Sequence, residues 1–221
     1  MSADDGRGYR SFDFTAMTAD ECYRLLASSI VPRPIAWIVS RSTDGILNAA
    51  PYSFFNCFGG DPPTVAIGFL PQDPIKDTPK NILDTGEFVV HLVSEELGEA
   101  MNVTCTDAPP EVDEVALAGL ETVPSSQVGP PRLAAAVAAF ECRMSHHIWT
   151  GPKQLLVVGT IVEAHFRADI IGEGDRPRLD TPDMHLIGRM HGRGVYARTT
   201  DLFEMDRPRW ADIGASKETD R

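Results

Sequence analysis

Hydrophobic and polar positions along this chain group into short runs, and the runs change period several times. Thr18, Ala19, Asp20 and Glu21 form a capping-box pattern. Cys22, Leu25, Leu26 and Ile30 follow at helical spacing. Pro32 and Pro34 cannot continue a helix, so this one is expected to stop near Ser28 and Ser29. Residues 35–40 (IAWIVS) are β-rich and apolar on both faces, the pattern of a fully buried strand. Asp44-Gly45 is a hairpin signal, which predicts a partner strand over residues 46–55. Asp61-Pro62-Pro63 marks a turn. Residues 64–69 (TVAIGF) and 87–93 (EFVVHLV) read as a third and fourth strand. Between them, Thr78 suits an N-cap, Pro79 a first helical residue and Gly86 a C-terminal stop.

A further short helix is predicted over residues 94–103, with Leu97, Ala100 and Met101 on one face. Residues 105–131 are rich in proline and acidic side chains and read as a loop-rich excursion. Residues 136–148 and 155–166 form a strand pair, 169–183 an exposed loop, and 186–198 a last ordered segment. At least six closely spaced strands with few, short helices predict a mainly antiparallel β-barrel with peripheral helices. Helices do not alternate with strands, which disfavours a doubly wound sheet. Residues 1–210 read as a single domain and 211–221 as a polar, frayed tail.

Composition narrows the function. The chain has 221 residues, 43% hydrophobic and 24% charged, an ordinary globular balance. Lys plus Arg number 20 and Asp plus Glu 32, giving a formal charge of −12. That disfavours a broad nucleic-acid or anionic-membrane surface, both of which need basic stripes. No apolar run approaches the length of a membrane span, and the acidic start lacks the basic region of a secretory signal. Cys22, Cys57, Cys105 and Cys142 form no CxxC pair. A cytoplasmic protein with reduced thiols is the expectation.

Neither GxGxxG nor a P-loop motif occurs, and no HExxH. His146 and His147 are adjacent in a strand and so point to opposite faces. No metal site is expected there. Pro32-Arg33-Pro34 presents a guanidinium just before a buried strand, although an exposed arginine between prolines is the plainer reading. Pro51 within a strand pattern marks an edge or bulge where a ligand can approach, with Asn48 and Ser53 as hydrogen-bonding groups and Phe54 and Phe55 as aromatic surface. Lys76 and Thr78 precede a helix start whose unpaired N–H groups suit a phosphate. Asp77 would repel an anion unless turned away, and an ordinary capped helix is the competing reading.

Taken in order, these blocks resemble a known family. Residues 29–40 (SIVPRPIAWIVS), Asp44-Gly45, residues 48–55 (NAAPYSFF), 76–82 (KDTPKNI) and 87–90 (EFVV) look like those of the flavin reductase-like, FMN-binding split-barrel proteins. Gly188, Arg189, Gly192, Tyr196 and Arg198, with residues 201–208 (DLFEMDRP), are similar to the family's closing segment. The resemblance implies a split β-barrel with a Greek-key-like order and a homodimer with FMN held non-covalently near the subunit interface. It implies hydride transfer from NADH or NADPH to flavin, or electron carriage between partners such as a monooxygenase or redox protein. Carried onto this sequence, it places Arg33 and Pro34 at the border of the flavin, and Ser40 and Ser42 near the phosphate or ribityl chain. Asn48, Ala50, Ser53 and Phe54 would line the ring and ribityl, and Lys76, Thr78 and Asn81 would hold the phosphate. Arg189 and Tyr196 would lie on the far side of the pocket.

The expected activity is that of an FMN-binding NAD(P)H-dependent flavin reductase. Hydride transfer to a flavin ring strictly requires no side-chain acid or base, so no catalytic residue is named. Two alternatives stay open: a flavoredoxin-like electron carrier, and a small-molecule binding protein or hydrolase on the same barrel without redox use. Substrate choice is expected to reside in 105–131 and 169–183, which match no motif.

Overall fold

The computed structural model describes residues 3–4 and 8–210. The tail expected at 211–221 lies outside the described residues. Thr18 caps the first helix, α1 (Ala19–Ser29), in the reciprocal capping box with Glu21 that the sequence specifies. Its apolar residues divide between two environments. Ala27 is buried and Leu25 half-buried, while Leu26 and Ile30 stay exposed.

Seven strands form one sheet: β1 (Ala36–Arg41), β2 (Leu47–Tyr52), β3 (Phe55–Gly60), β4 (Pro63–Phe69), β5 (Glu87–Leu92), β6 (Ala138–Gly151) and β7 (Gln154–Phe166). Their order is β2-β1-β5-β6-β7-β4-β3, and every pair is antiparallel. The two edge strands, β2 and β3, are consecutive in sequence, so the sheet closes through the corner at Ser53 and Phe54. There Gly68 N–H donates to the Phe54 carbonyl at 2.7 Å. A Cβ at Gly68 would stand 3.2 Å from the Phe54 Cβ, so glycine permits the close approach. This is the expected split β-barrel. The sequence reading of one strand over residues 46–55 is corrected, because the chain turns after Tyr52 and a further strand, β3, begins at Phe55.

β1 has the two-faced burial its composition predicts. Ala36 and Ile38 point into the barrel with Val65, Ile67, Phe88, Val90, Cys142 and Val157. Trp37 and Val39 face outward into a second core with Ala49, Val93, Met101, Val115 and Leu133. That outer core is covered by α3 (Gly98–Val103) and α4 (Glu114–Leu117). His91, fully buried on this face, joins three segments. One ring nitrogen, Nδ1, lies 3.1 Å from the Trp37 carbonyl, and the other, Nε2, accepts from Leu133 N–H at 3.0 Å.

The helix α2 (Asp77–Thr85) plugs one barrel end with Ile82. Gly86 terminates it in the left-handed conformation, φ +74°, as expected. Its start is corrected. Lys76, not Thr78, occupies the N-cap, and it makes no side-chain cap bond. Thr78 turns inward instead, because Asn48 on β2 presents an acceptor to it. Pro79 still falls within the first turn, where a missing N–H costs nothing.

The excursion at 105–131 is mostly loop, with α4 and a two-residue pairing of Thr122–Val123 with Arg132–Leu133. The buried Glu141 on β6 pins it, accepting from the backbone N–H groups of Ser126 and Gln127 at 3.0 and 2.7 Å. Among the described residues, Glu141, Glu163 and His165 bring potential ligand atoms within 4.8 Å of one another. Glu141 is already satisfied there by the two amides and by His165 Nε2 at 2.7 Å. A last hairpin, β8 (Ile187–Arg189) with β9 (Tyr196–Arg198), packs beside the start of β1 through reciprocal backbone bonds between Arg33 and Arg189.

Candidate functional site

Two adjoining clefts open where β2, the 70–76 segment and the start of α2 meet. One is about 410 Å³ and is walled by Tyr23, Phe54, Phe69 and Leu70, with Lys153 at its rim. The other, about 370 Å³, runs between Asn48, Ala50 and Thr78 on one side and Thr104–Ala108 and Glu114 on the other. They share Pro51, Tyr52, Gln72, Ile75 and Lys76. Both volumes suit a small molecule or cofactor.

A chain of buried polar side chains underlies the second cleft. Asn81 Nδ2 donates to Ser40 Oγ at 3.1 Å, and Ser40 Oγ donates to Asn48 Oδ1 at 3.3 Å. Thr78 Oγ1 donates to the same Asn48 oxygen at 2.5 Å. The Asn48 amide donates in turn to Glu114 Oε2 at 2.9 Å, and Ala49 N–H reaches that oxygen at 3.3 Å. All four polar residues and Glu114 are buried. Burial pushes the Glu114 carboxyl above its ordinary range, opposed by the bonds from Asn48 and Ala49.

Several groups remain to face a ligand. Lys76 is exposed at the seam of the two clefts. The first-turn N–H groups of α2 have no side-chain cap. The Tyr52 hydroxyl, on the wall common to both clefts, is buried and makes no hydrogen bond of standard geometry among the described residues, although the Thr78 side chain lies near enough to act on it. That burial drives its pKa up, so it stays a neutral donor. A buried hydroxyl with no standard hydrogen bond, a lysine and free helix N–H groups beside an aromatic wall fit a planar, phosphorylated cofactor such as a flavin mononucleotide.

Of the residues singled out from sequence, Asn48, Ala50, Lys76 and Thr78 line the second cleft and Ser53, Phe54 and Lys76 the first. Ser40 and Asn81 lie beneath, reaching the cleft through Asn48. The Thr78 hydroxyl hydrogen is committed to Asn48, so α2 offers an anion its backbone rather than that side chain.

The remaining five lie elsewhere. Arg33 is a buried clamp: Nη1 donates to the carbonyls of Ala27 and Ile30, Nη2 to Met190 and Nε to Ser53 Oγ. Its guanidinium sits 5.8 Å from the Phe54 ring centroid, so it supports the aromatic wall from behind. Pro34 lines a smaller cleft of about 210 Å³ beside β8. Ser42 closes the β1–β2 turn by accepting from Ile46 N–H. Arg189 stacks on Tyr196 and donates to the Val195 and Gly192 carbonyls, fixing its own hairpin.

Sequence reasoning missed Tyr52, Gln72, Ile75, Tyr23, Cys105 and Glu114. Tyr52 sat inside the block already singled out. Glu114 carried no local signal, because its role depends on a contact 66 residues away.

Comparison with known proteins follows this geometry. Residues 28–185 match the family model described as the flavin reductase like domain. An uncharacterised protein of Deinococcus radiodurans is 39% identical over 208 residues, covering 90% of each chain. Among solved structures, nitrilotriacetate monooxygenase component B from Bacillus cereus is 32% identical with a TM-score of 0.83, covering 88% of this chain and 98% of that one. The 2-nitrobenzoate 2-nitroreductase of Pseudomonas fluorescens is 33% identical with a TM-score of 0.82, covering 90% and 97%.

Proposed function

Since the chain belongs to the flavin reductase-like family, we propose that it is an oxidoreductase that binds FMN in the paired clefts and reduces it with NADH or NADPH. The observation that carries this reading is the convergence of Lys76, the uncapped first turn of α2 and the buried Tyr52 hydroxyl on one seam. When bound, FMN would supply the hydride-accepting chemistry.

The chain's own part is binding and orientation. Lys76 and the α2 N–H groups would receive the phosphate, where the helix dipole adds to the lysine charge. Asp77 lies at the same turn, so the lysine must offset a nearby carboxylate. Asn48 and Ala50 would follow the ribityl chain. Pro51, Tyr52 and the Phe54–Tyr23 wall would flank the ring and exclude water from one face. A nicotinamide or a downstream acceptor would then approach the open side.

A homodimer fits the same reading. Tyr23 and Leu26 on α1, with Ile30 at its C-cap, are 40%, 42% and 62% exposed, apolar side chains that a second copy would cover. Among the described residues no helix is long and apolar enough to cross a membrane, and a cytoplasmic site of action is part of the proposal. The test is direct: purified protein is loaded with FMN, freed of excess by gel filtration and mixed with NADH or NADPH. Retained flavin and nucleotide oxidation support the reading, and retained flavin without nucleotide oxidation points to an electron carrier.

A further inference from the structure

Glu114 comes from one of the two segments that match no motif, 105–131, yet its carboxylate ends the polar chain beneath the second cleft. It is 4% exposed and accepts from both Asn48 Nδ2 and Ala49 N–H. A carboxylate opposite an amide decides which way that amide faces, because an ionised carboxylate can only accept. With Nδ2 held by Glu114, Asn48 Oδ1 must face Thr78 and Ser40, and both hydroxyls then point their hydrogens at it. Every hydroxyl in the chain therefore turns a lone pair, not a hydrogen, toward any further partner. Asn48 lines the second cleft with Ala50 and Lys76, and Glu114 takes one of its two amide N–H groups. Rotating the amide by half a turn would face oxygen against carboxylate and leave two hydroxyls competing for a donor.

We infer that Glu114 is a positioning residue for the flavin, setting the donor face of Asn48 and holding Thr78 at the start of α2. The inference rests on the FMN reading above and deepens it by tying the 105–131 excursion to cofactor binding. The short helix α4 brings two buried side chains to β2, Val115 into the outer core and Glu114 to Asn48, and Asp113 fixes that helix by accepting from Ala116 N–H at 3.0 Å.

The test measures FMN dissociation constants by flavin fluorescence for the full chain and five variants, with thermal midpoints alongside. Glu114→Ala is expected to weaken FMN binding about tenfold, a coupling of the size seen between bonded neighbours. Glu114→Asp keeps the charge but is one methylene short, and should lose as much. Glu114→Gln keeps an acceptor oxygen in place and should stay within about threefold of wild type, since the amide oxygen can take both bonds. Asn48→Ala combined with Glu114→Ala should bind no more weakly than Asn48→Ala alone, because one residue acts through the other.

Wild-type affinity in Glu114→Asp, a full loss in Glu114→Gln, or losses that simply add in the double variant would each overturn the inference. Should Glu114→Ala not fold, the Asp and Gln variants decide it between them. A wild-type protein that takes up no FMN overturns the flavin reading and this inference with it, whereas normal wild-type uptake with an indifferent Glu114 overturns the inference alone.

Discussion

Lys76 stands exposed at the seam of the two clefts, so removing its ammonium changes the site without disturbing the core. Lys76→Ala should cost about 1.5–3 kcal/mol of FMN binding, the range of a charge-assisted hydrogen bond, with the thermal midpoint unchanged. Fluorescence titration checks the first and a melting curve the second, and unaltered affinity would remove Lys76 from the phosphate site. Another residue-scale prediction concerns folding. Burial drives His91 down to about 4 from an ordinary 6.5, and the hydrogen bond to the Trp37 carbonyl opposes the shift only in part. The unfolded chain therefore binds a proton between those two pH values while the native state does not. Stability is full above 6.5 and declines as pH falls toward 4, by up to about 3 kcal/mol from this group. Urea denaturation across that window should show the decline, and His91→Gln should flatten it relative to wild type.

Among the elements, β7 and β5 meet more closely than any side chain at Gly159 would allow. A Cβ there would stand 2.6 Å from Cζ of the fully buried Phe88 ring. Gly159→Ala should destabilise the fold by about 1–3 kcal/mol through overpacking, read as a lower urea midpoint. An unchanged midpoint would mean that the barrel interior is looser than its packing implies. The same scale separates what was legible in the sequence from what was not. The capping box of α1, the two-faced burial of β1 and the glycine stop of α2 are local patterns, and each appeared where its residues placed it. The break between β2 and β3 was hidden because Phe54 and Phe55 continue the apolar run across a corner. The start of α2 was misplaced because Thr78 is a good cap in isolation, but Asn48 is the partner it meets in the fold. Arg33 read most simply as an exposed arginine between prolines, with a place at the flavin border implied by the resemblance, yet it is buried and engaged by three backbone carbonyls and a serine. Non-local contacts decided each of these, and sequence spacing does not carry them.

For the whole molecule, the proposed function asks a chain of formal charge −12 to bind a phosphorylated cofactor and a phosphorylated reductant. Lys76 and Lys153 are the lysines at the clefts, against Asp73, Asp77, Asp107 and Glu114. The positive potential is therefore local and modest, and helix N–H groups carry much of it. The exposed apolar side chains of α1 and its C-cap give a further prediction at this scale. Ile30→Glu combined with Leu26→Glu should shift the protein from dimer to monomer in sedimentation velocity, with the barrel still folded. A wild-type monomer would remove the dimer from the account. The central claim, that the paired clefts hold a reducible flavin, is tested most directly by the visible absorption spectrum of the FMN-loaded, gel-filtered protein before and after NADH or NADPH. The account predicts a flavin band that travels with the protein and bleaches when the nucleotide is added; a protein that emerges colourless after FMN loading would contradict it.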